Sequence, residues 1–451
     1  MKIKIVNMDL SNAEQIRLYF ADGKTADHIR MNTAADAQLL MDQGLLKEIS
    51  EEKLRKFMPT WMKSLESMVD PKIVKSSMYY KGKIYGVPFF NFAGIQPNLM
   101  GIRKDWLDNV GITKYPETIE EYHEVLKRFT FNDPDKNGKN DTYGGHGVQL
   151  YLKGAFGLGA PEINYYVDKA GKIYSTATSD NYKQYLKVLQ SWYKEGLIDP
   201  ESITDQRPQQ RAKWSSGKFG VLADHPWWFA GSTPDNLTKI LLDKNPNAKL
   251  DFFKPFAGPD GQKGATTGLN YPAMNFGFGF GKDTSDEKIE RIMAIKEYIA
   301  ANDDFWTRLY YGEEGKGYTK NKDGIIQVTP EYLNNDKLVA EGLNNFYALR
   351  PETWEFKKKT GVFKDELPAY EIAMNSPVVY NTVNFTYSGK NEAQSKYGTA
   401  LNTIVTEFMT NAITGKLDID KEWEAFKKRY LDAGGTATIN EWQKLYDESN
   451  K

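Results

Sequence analysis

Apolar residues along the chain recur at two periods, and the two alternate from one end to the other. Thr118 and Glu121 frame a capping box. Behind it Tyr122, Val125, Leu126 and Phe129 fall at the i, i+3, i+4, i+7 spacing of a helix face. Tyr182, Tyr185, Leu186, Leu189 and Trp192 form a second stripe, closed by Gly196. Thr284 and Glu287 frame another capping box, ahead of Ile289, Ile292, Ile295 and Ile299. Leu401, Ile404, Val405 and Phe408 make a late helix that ends at Gly415. Residues 2–6, 83–89 and 276–280 read as strands, the last with strict period two and Gly on its second face. Residues 13–20 read as a helix. This alternation predicts an α/β fold. At 451 residues the chain exceeds what one core serves, so two lobes are expected. No Pro- or Ser-rich linker occurs, so short crossings should join them.

Composition narrows the function. Lys and Arg number 59 against 60 Asp and Glu, which gives no basic surplus for nucleic acid, and none is expected as a partner. Cysteine is absent, which removes thiol catalysis, Cys-ligated zinc and disulfides. No apolar run approaches the roughly 20 residues of a membrane helix. The first residues run directly into a strand-like segment without a signal peptide. Aromatic residues reach 13%, enough to build cores and also to line a cleft where sugar rings stack.

The sharpest local motif runs from Asp133 to Asp141. Asp133, Asp135, Asn137 and Asp141 place oxygens at loop positions one, three, five and nine. Gly138 stands at six and the Lys139 carbonyl at seven. Position twelve is Gly144 rather than Glu, so the loop reads as a structural calcium site outside the EF-hand pattern. The other reading is an Asx-rich turn. Trp227 and Trp228 follow His225-Pro226. In an extended segment the two indoles would face opposite ways, one of them toward a cleft or solvent. Asn270-Tyr271 and Asn91, the latter among three Phe residues, combine amide, hydroxyl and ring. The four His form no HExxH, and no G-x-S-x-G or phosphate-cradling loop occurs.

Several segments together resemble the extracellular solute-binding proteins of ATP-binding-cassette importers, in the carbohydrate-binding branch. They are Tyr80 to Pro88 with Gly82 and Gly86, Ile102-Arg103-Lys104-Asp105-Trp106-Leu107 to Gly111, Pro116 and Thr118. Ser216-Gly217 with Gly220, and Ile413 to Lys416 with Trp423, follow in family order. The calcium loop is similar to that of alginate-oligosaccharide binding proteins, except that Thr142 stands where an acidic residue follows there. The resemblance implies a two-lobed periplasmic-binding-protein-like fold of type II with a cleft between lobes. It places the first lobe at 1–113 and 273–378 and the second at 117–268 and 384–451, with crossings near 113–117, 268–273 and 378–384. It implies that Asn91, Trp227, Trp228, Asn270, Tyr271 and Trp306 face the cleft, with Arg350 for an acidic sugar. It implies no enzyme, but a monomer that captures an oligosaccharide by hinge closure and delivers it to the membrane permease. The expected location is extracellular, at the cell surface, as in lipoprotein relatives. The family's first strand and helix are missing ahead of residue 2, which predicts a less stable first lobe. A calcium-containing glycosidase or lyase, or a glycan adhesin, is the alternative reading.

Overall fold

The computed structural model describes residues 19–20, 25–31, 40–68, 71–89, 98–146, 150–159, 163–230, 236–266, 276–333, 335–343, 350–360, 367–379 and 391–449. The strand expected at 2–6 and most of the helix expected at 13–20 lie outside these residues. In chain order, β1 (Ile29–Met31), α1 (Pro59–Met68) and β2 (Gly86–Phe89) come first. Next are β3 (Leu99–Arg103), α2 (Ile119–Phe131), β4 (Tyr143–Gly145) and α3 (Asp180–Lys194). Then follow α4 (Arg207–Ser215), β5 (Phe219–Asp224), α5 (Pro226–Ala230), β6 (Leu250–Phe253) and β7 (Ala265–Thr266). The chain continues with β8 (Phe276–Gly279), α6 (Asp286–Ala301), α7 (Asp303–Tyr311), α8 (Trp354–Thr360) and α9 (Leu367–Met374). It closes with β9 (Val378–Val379), α10 (Glu392–Ile413) and α11 (Ile419–Tyr430) among its last elements.

The helix signals act as their chemistry predicts, with one shift. Thr118 Oγ1 accepts the Glu121 N–H at 3.2 Å and starts α2, whose Tyr122, Val125, Leu126 and Phe129 are buried. Ser179 does the same for α3 through the Tyr182 N–H. The cap of α6 is Ser285 rather than Thr284, because it is Ser285 that accepts the Lys288 N–H. The face of α6 also turns. Ile289, Met293, Lys296, Ile299 and Ala300 are buried, while Ile292 and Ile295 are only partly so.

Two sheets organise two cores. The first has the order β1-β8-β2, antiparallel throughout. Its glycine face is tight: a Cβ on Gly279 would stand 2.8 Å from the Tyr85 carbonyl oxygen. This sheet shares a core with α1 and α6 through Met31, Trp61, Val87, Phe89, Phe278 and Met293. The second sheet has the order β6-β3-β5-β4, with only the β4–β5 pair parallel. Its core runs from Met100 through α2 and α3 to Trp423 and Tyr430.

This packing moves two of the expected boundaries. Residues 99–113, expected in the first lobe, belong to the second core. There β3 pairs with β5 and β6, and Trp106 and Leu107 are buried. Residues 367–378, also expected in the first lobe, lie against second-lobe strands. Ala369 and Ala373 of α9 pack on Leu99 and Phe252, and β9 pairs with β7 in parallel. The chain therefore changes cores between Phe89 and Leu99, returns between β7 and β8, and changes again between α8 and α9. Gly111, just ahead of the crossing expected near 113–117, ends a short helix in the left-handed region (φ 75°), with the Ile112 N–H bonded to the Leu107 carbonyl at 2.9 Å.

The Arg103 to Leu107 segment proves structural. Arg103 is buried, pairs with Asp105 through Nε at 2.8 Å, and lies over the Trp106 ring. Asp105 in turn accepts the Lys249 N–H at 3.1 Å, tying the start of β6 to the end of β3.

Candidate functional site

Every residue of β5 is buried, so the strand carries Asp224 into the protein interior at its far end. The Asp224 carboxylate accepts from Arg211 Nε at 2.8 Å and Nη2 at 3.1 Å, a two-point fork that fixes both groups. It also accepts the His225 N–H at 2.9 Å. Pro226 then opens α5, where its fixed φ and missing N–H suit the first helical position.

The turn into a helix changes the expectation for the paired tryptophans. In a helix, neighbours diverge by about 100° rather than 180°. Trp228 joins the second-lobe cluster of Trp214, Phe229 and Leu237, with the Arg211 guanidinium 3.6 Å above its ring. Trp227 leaves that cluster. Its ring lies parallel to that of His225 at 4.1 Å, and it packs against Tyr370, as do Trp354, Leu367 and Met374.

Those partners come from both sides of the molecule. Trp354 lies on α8, whose Phe356 enters a first-lobe cluster with Ile299 and Trp306. Tyr370 lies on α9, packed on the second sheet, and stacks with Trp354 at 6.2 Å. Rings of Trp227, His225, Trp354 and Tyr370 thus gather where α5, α8 and α9 meet, between the two cores. Trp227, Trp354 and His225 are each only partly buried. Burial pulls the His225 pKa down to about 4, so the ring is neutral near pH 7 and acts as an aromatic plate. Its Nδ1 is buried without a hydrogen-bond partner among the described residues. Such a patch offers flat apolar faces edged by a polar atom, the combination that a sugar ring requires.

The other sequence candidates fall elsewhere. Asn91, Asn270 and Tyr271 lie outside the described residues. Phe89, the last residue of β2, pairs with Phe276, the first of β8, so the segments bearing those candidates join the first sheet side by side. Trp306 is not a cleft residue. It is 2% exposed, stacked on Tyr310 at 4.7 Å and edged by Phe356 at 4.8 Å. Arg350 is likewise occupied. Its Nη1 donates to Asp303 at 2.8 Å and the Ile299 carbonyl at 3.3 Å, and its guanidinium covers Phe356. It ties α6 to α7 through Nη1, while its Nε is buried without a hydrogen-bond partner among the described residues. Trp354 and Tyr370 were missed because no local pattern marks them.

The 133–141 loop is wound by left-handed residues at Asp133, Lys136 and Gly138. The N–H groups of Asn137 and Gly138 donate to the Asp133 carboxylate, both at 3.0 Å. The Asn137 amide donates to Asp135 at 2.9 Å and Asp141 at 3.1 Å, drawing those oxygens together. Burial, the Asp133 hydrogen bond and the charge of Asp141 raise the Asp135 pKa, and Asp135 Oδ1 is buried without a hydrogen-bond partner among the described residues. An all-oxygen set with an unpartnered buried carboxylate oxygen suits a hard cation. Among the described residues, no three His, Cys, Asp or Glu side chains converge as a ready metal site. None of the described helices is long and apolar enough to cross a membrane.

Two lobes, with an aromatic patch where they meet, define a solute-capturing protein of the type II binding fold. The chain belongs to the bacterial extracellular solute-binding proteins, the family that matches residues 2–289. It is 26% identical over 392 residues to the polygalacturonan/rhamnogalacturonan-binding protein YtcQ of Bacillus subtilis (strain 168), covering 84% of this chain and 73% of that one. It is 28% identical over 415 residues to the lipoprotein LipO of the same organism, covering 85% and 75%. Among solved structures it is similar to the S. pneumoniae ABC-transporter substrate-binding protein FusA in complex with kestose. The TM-score is 0.65 at 22% identity, over 97% of this chain and 91% of that one. Relatives of this kind bind substrates for ABC transporters and are not enzymes, so the glycosidase or lyase reading is set aside.

Proposed function

We propose that this protein captures an oligosaccharide outside the cell and passes it to the transmembrane subunits of an ABC importer, acting as a monomer held at the cell surface by a lipid anchor. The observation that carries the capture step is the ring cluster of Trp227, His225, Trp354 and Tyr370 between the two cores. The names of YtcQ and FusA support a carbohydrate solute, and that of LipO supports the anchor. Capture works by hinge closure: a solute that touches both lobes favours the state in which they approach. Calorimetry against a glycan panel should find a ligand, and small-angle scattering should show compaction when it binds. Trp227→Ala should weaken that ligand by about 2 kcal/mol, roughly thirty-fold in Kd. A variant that binds as well as the parent would remove Trp227 from the site.

The 133–141 loop serves this function as a structural calcium site. Asp133, Asp135, Asn137 and Asp141 would contribute side-chain oxygens and Lys139 its carbonyl, and the ion would supply charge neutralisation that rigidifies the loop. Calcium at about a hundred times its Kd adds about 2.7 kcal/mol to the folded state. The melting temperature should therefore rise from chelator to calcium, and Asp135→Ala should abolish the rise. Identical melting in both conditions would dismiss the ion.

A further inference from the structure

We infer that the captured solute carries a carboxylate and that Arg207 is the residue that recognises it, an inference that rests on the capture function proposed above. β4 and β5 are the parallel pair of the second sheet, and His146 and His225 follow directly on their last residues. In α/β sheets, ligands bind in the crevice outside the carboxyl ends of such strands. Arg207 stands on that edge. Its Nη1 donates at 2.8 Å to the carbonyl of Ala223, two residues before His225, where the ring cluster begins. Burial holds both His225 and His146 at a pKa of about 4, and the charge of Arg207 pushes each the same way. Its field therefore reaches both rings at the strand ends.

The bonding of Arg207 sets it apart from the other guanidinium groups of the interior. Arg103, Arg211 and Arg350 each hold a carboxylate, on Asp105, Asp224 and Asp303. Arg207 is half-buried, and no carboxylate among the described residues reaches it. Its two partners are neutral, the Ala223 carbonyl and the Gln210 amide oxygen at 3.2 Å, and Nη1 meets both. A guanidinium has five N–H donors, two of them on Nη1. Nε and Nη2 bond nothing among the described residues. They are the same two atoms that Arg211 forks onto Asp224. Such a fork matches a carboxylate in both shape and charge.

The acidic groups nearby are held by other cations. Asp199, Glu201 and Asp205 gather on Lys213 Nζ at 3.0, 2.7 and 2.7 Å, and Asp224 is held by Arg211. One lysine offsets only part of that charge, so the fork of Arg207, rather than the general potential, carries the attraction. The helix adds to it. Arg207 is the first residue of α4, whose Gln206 cap makes no side-chain hydrogen bond and whose first turn holds no acid. The positive end of the helix dipole falls at the same place. The rings then take the face of a sugar, and the fork takes an acidic substituent at its edge. The cations of the first lobe offer no such place. His28, Arg30 and Lys296 line a cavity of about 10 Å³ with Trp61, Phe89 and Phe278, room for about one water.

The test is calorimetry on the full chain at low and high salt, with acidic oligosaccharides and their neutral counterparts. Oligogalacturonates are set against their methyl esters, and sialyl-lactose against lactose, which separates two sources of a sugar carboxylate. Neutral gluco-, fructo- and manno-oligosaccharides complete the panel. The expected result is an acidic ligand that binds at least about tenfold more tightly than its neutral counterpart and weakens with salt. Its Kd should rise at least about tenfold in Arg207→Gln and also in Arg207→Lys, because lysine keeps the charge and loses the fork. A neutral sugar that binds as tightly as any acid, or an acidic ligand that Arg207→Gln leaves unchanged, would overturn the inference and leave the capture function standing. The comparison of acid with ester uses the parent protein, so it decides even where a variant does not fold. Binding of no sugar in the panel by the folded protein would overturn both.

Discussion

Arg211→Ala is expected to lower the stability of the second lobe by about 3 kcal/mol, a drop of roughly 6–12 °C in the melting temperature of that transition. The reason is the position of Asp224. It is 1% exposed at the end of a fully buried strand, and Arg211 is its only charged hydrogen-bond partner among the described residues. Removing the guanidinium leaves a desolvated carboxylate, which costs far more than the pair contributes when intact. The loss should spread to the site. The same guanidinium covers Trp228, and Trp228 and Trp227 share one turn of α5. Asp224→Asn in the Arg211→Ala background should restore much of the stability, because the stranded charge is gone while the amide oxygen can still accept the His225 N–H. If the double variant is no more stable than Arg211→Ala, the buried charge is not the cause. A change in tryptophan emission in the single variant, before any unfolding, would report the uncovered indole.

The Asp224–Arg211–Trp228 stack also shows what the chain reveals before it folds. His225-Pro226-Trp227-Trp228 stood out locally, because two indoles beside a Pro are rare chemistry. Their division between two clusters did not, since it depends on whether 226–230 is extended or helical. Trp354 and Tyr370 carried no signal at all. Each is an ordinary aromatic on its own helix and gains a role only when α8 and α9 bring it to α5. Trp306 misled for the opposite reason. A Trp after an apolar stripe resembles an exposed end until Tyr310 and Phe356 close over it. The fold class was legible because the 2.0 and 3.6 periods are local, and the capping box at Thr118 was met residue by residue, while the one read at Thr284 falls one residue later, on Ser285. Lobe boundaries were less so. Gly and Pro punctuate any chain reversal, and Gly111 marks a helix end within one lobe as readily as a crossing between two.

Lys296 is the residue that periodicity hid most completely, because a charged side chain at an apolar position reads as exposed. It lies 4% exposed on α6, with its ammonium 5.3 Å from the Phe278 ring. Burial, helped by the nearby charge of Arg30, pulls its pKa down to about 7. An unfolded Lys titrates near about 10.4. Between about pH 7 and 10.4 the unfolded chain therefore holds a proton that the folded chain has released, and stability rises with pH across that window. Below about pH 7 the whole cost of the buried charge is in place. Lys296→Met keeps the length of the side chain and its contact with Phe278 while removing the charge. It should stabilise the first lobe by a few kcal/mol at pH 6, and the gain should shrink toward zero near pH 10. The groups that face Lys296 across the cavity do not produce the same profile. Burial holds His28 well below its ordinary pKa, with the Lys296 charge adding to the effect, so it titrates beneath this window. Arg30 remains a cation throughout. Denaturant unfolding of both proteins at pH 6, 8 and 10 reads the difference directly. A constant offset between them at all three values would show that the lysine is not titrating in the fold, and that its effect is one of packing alone.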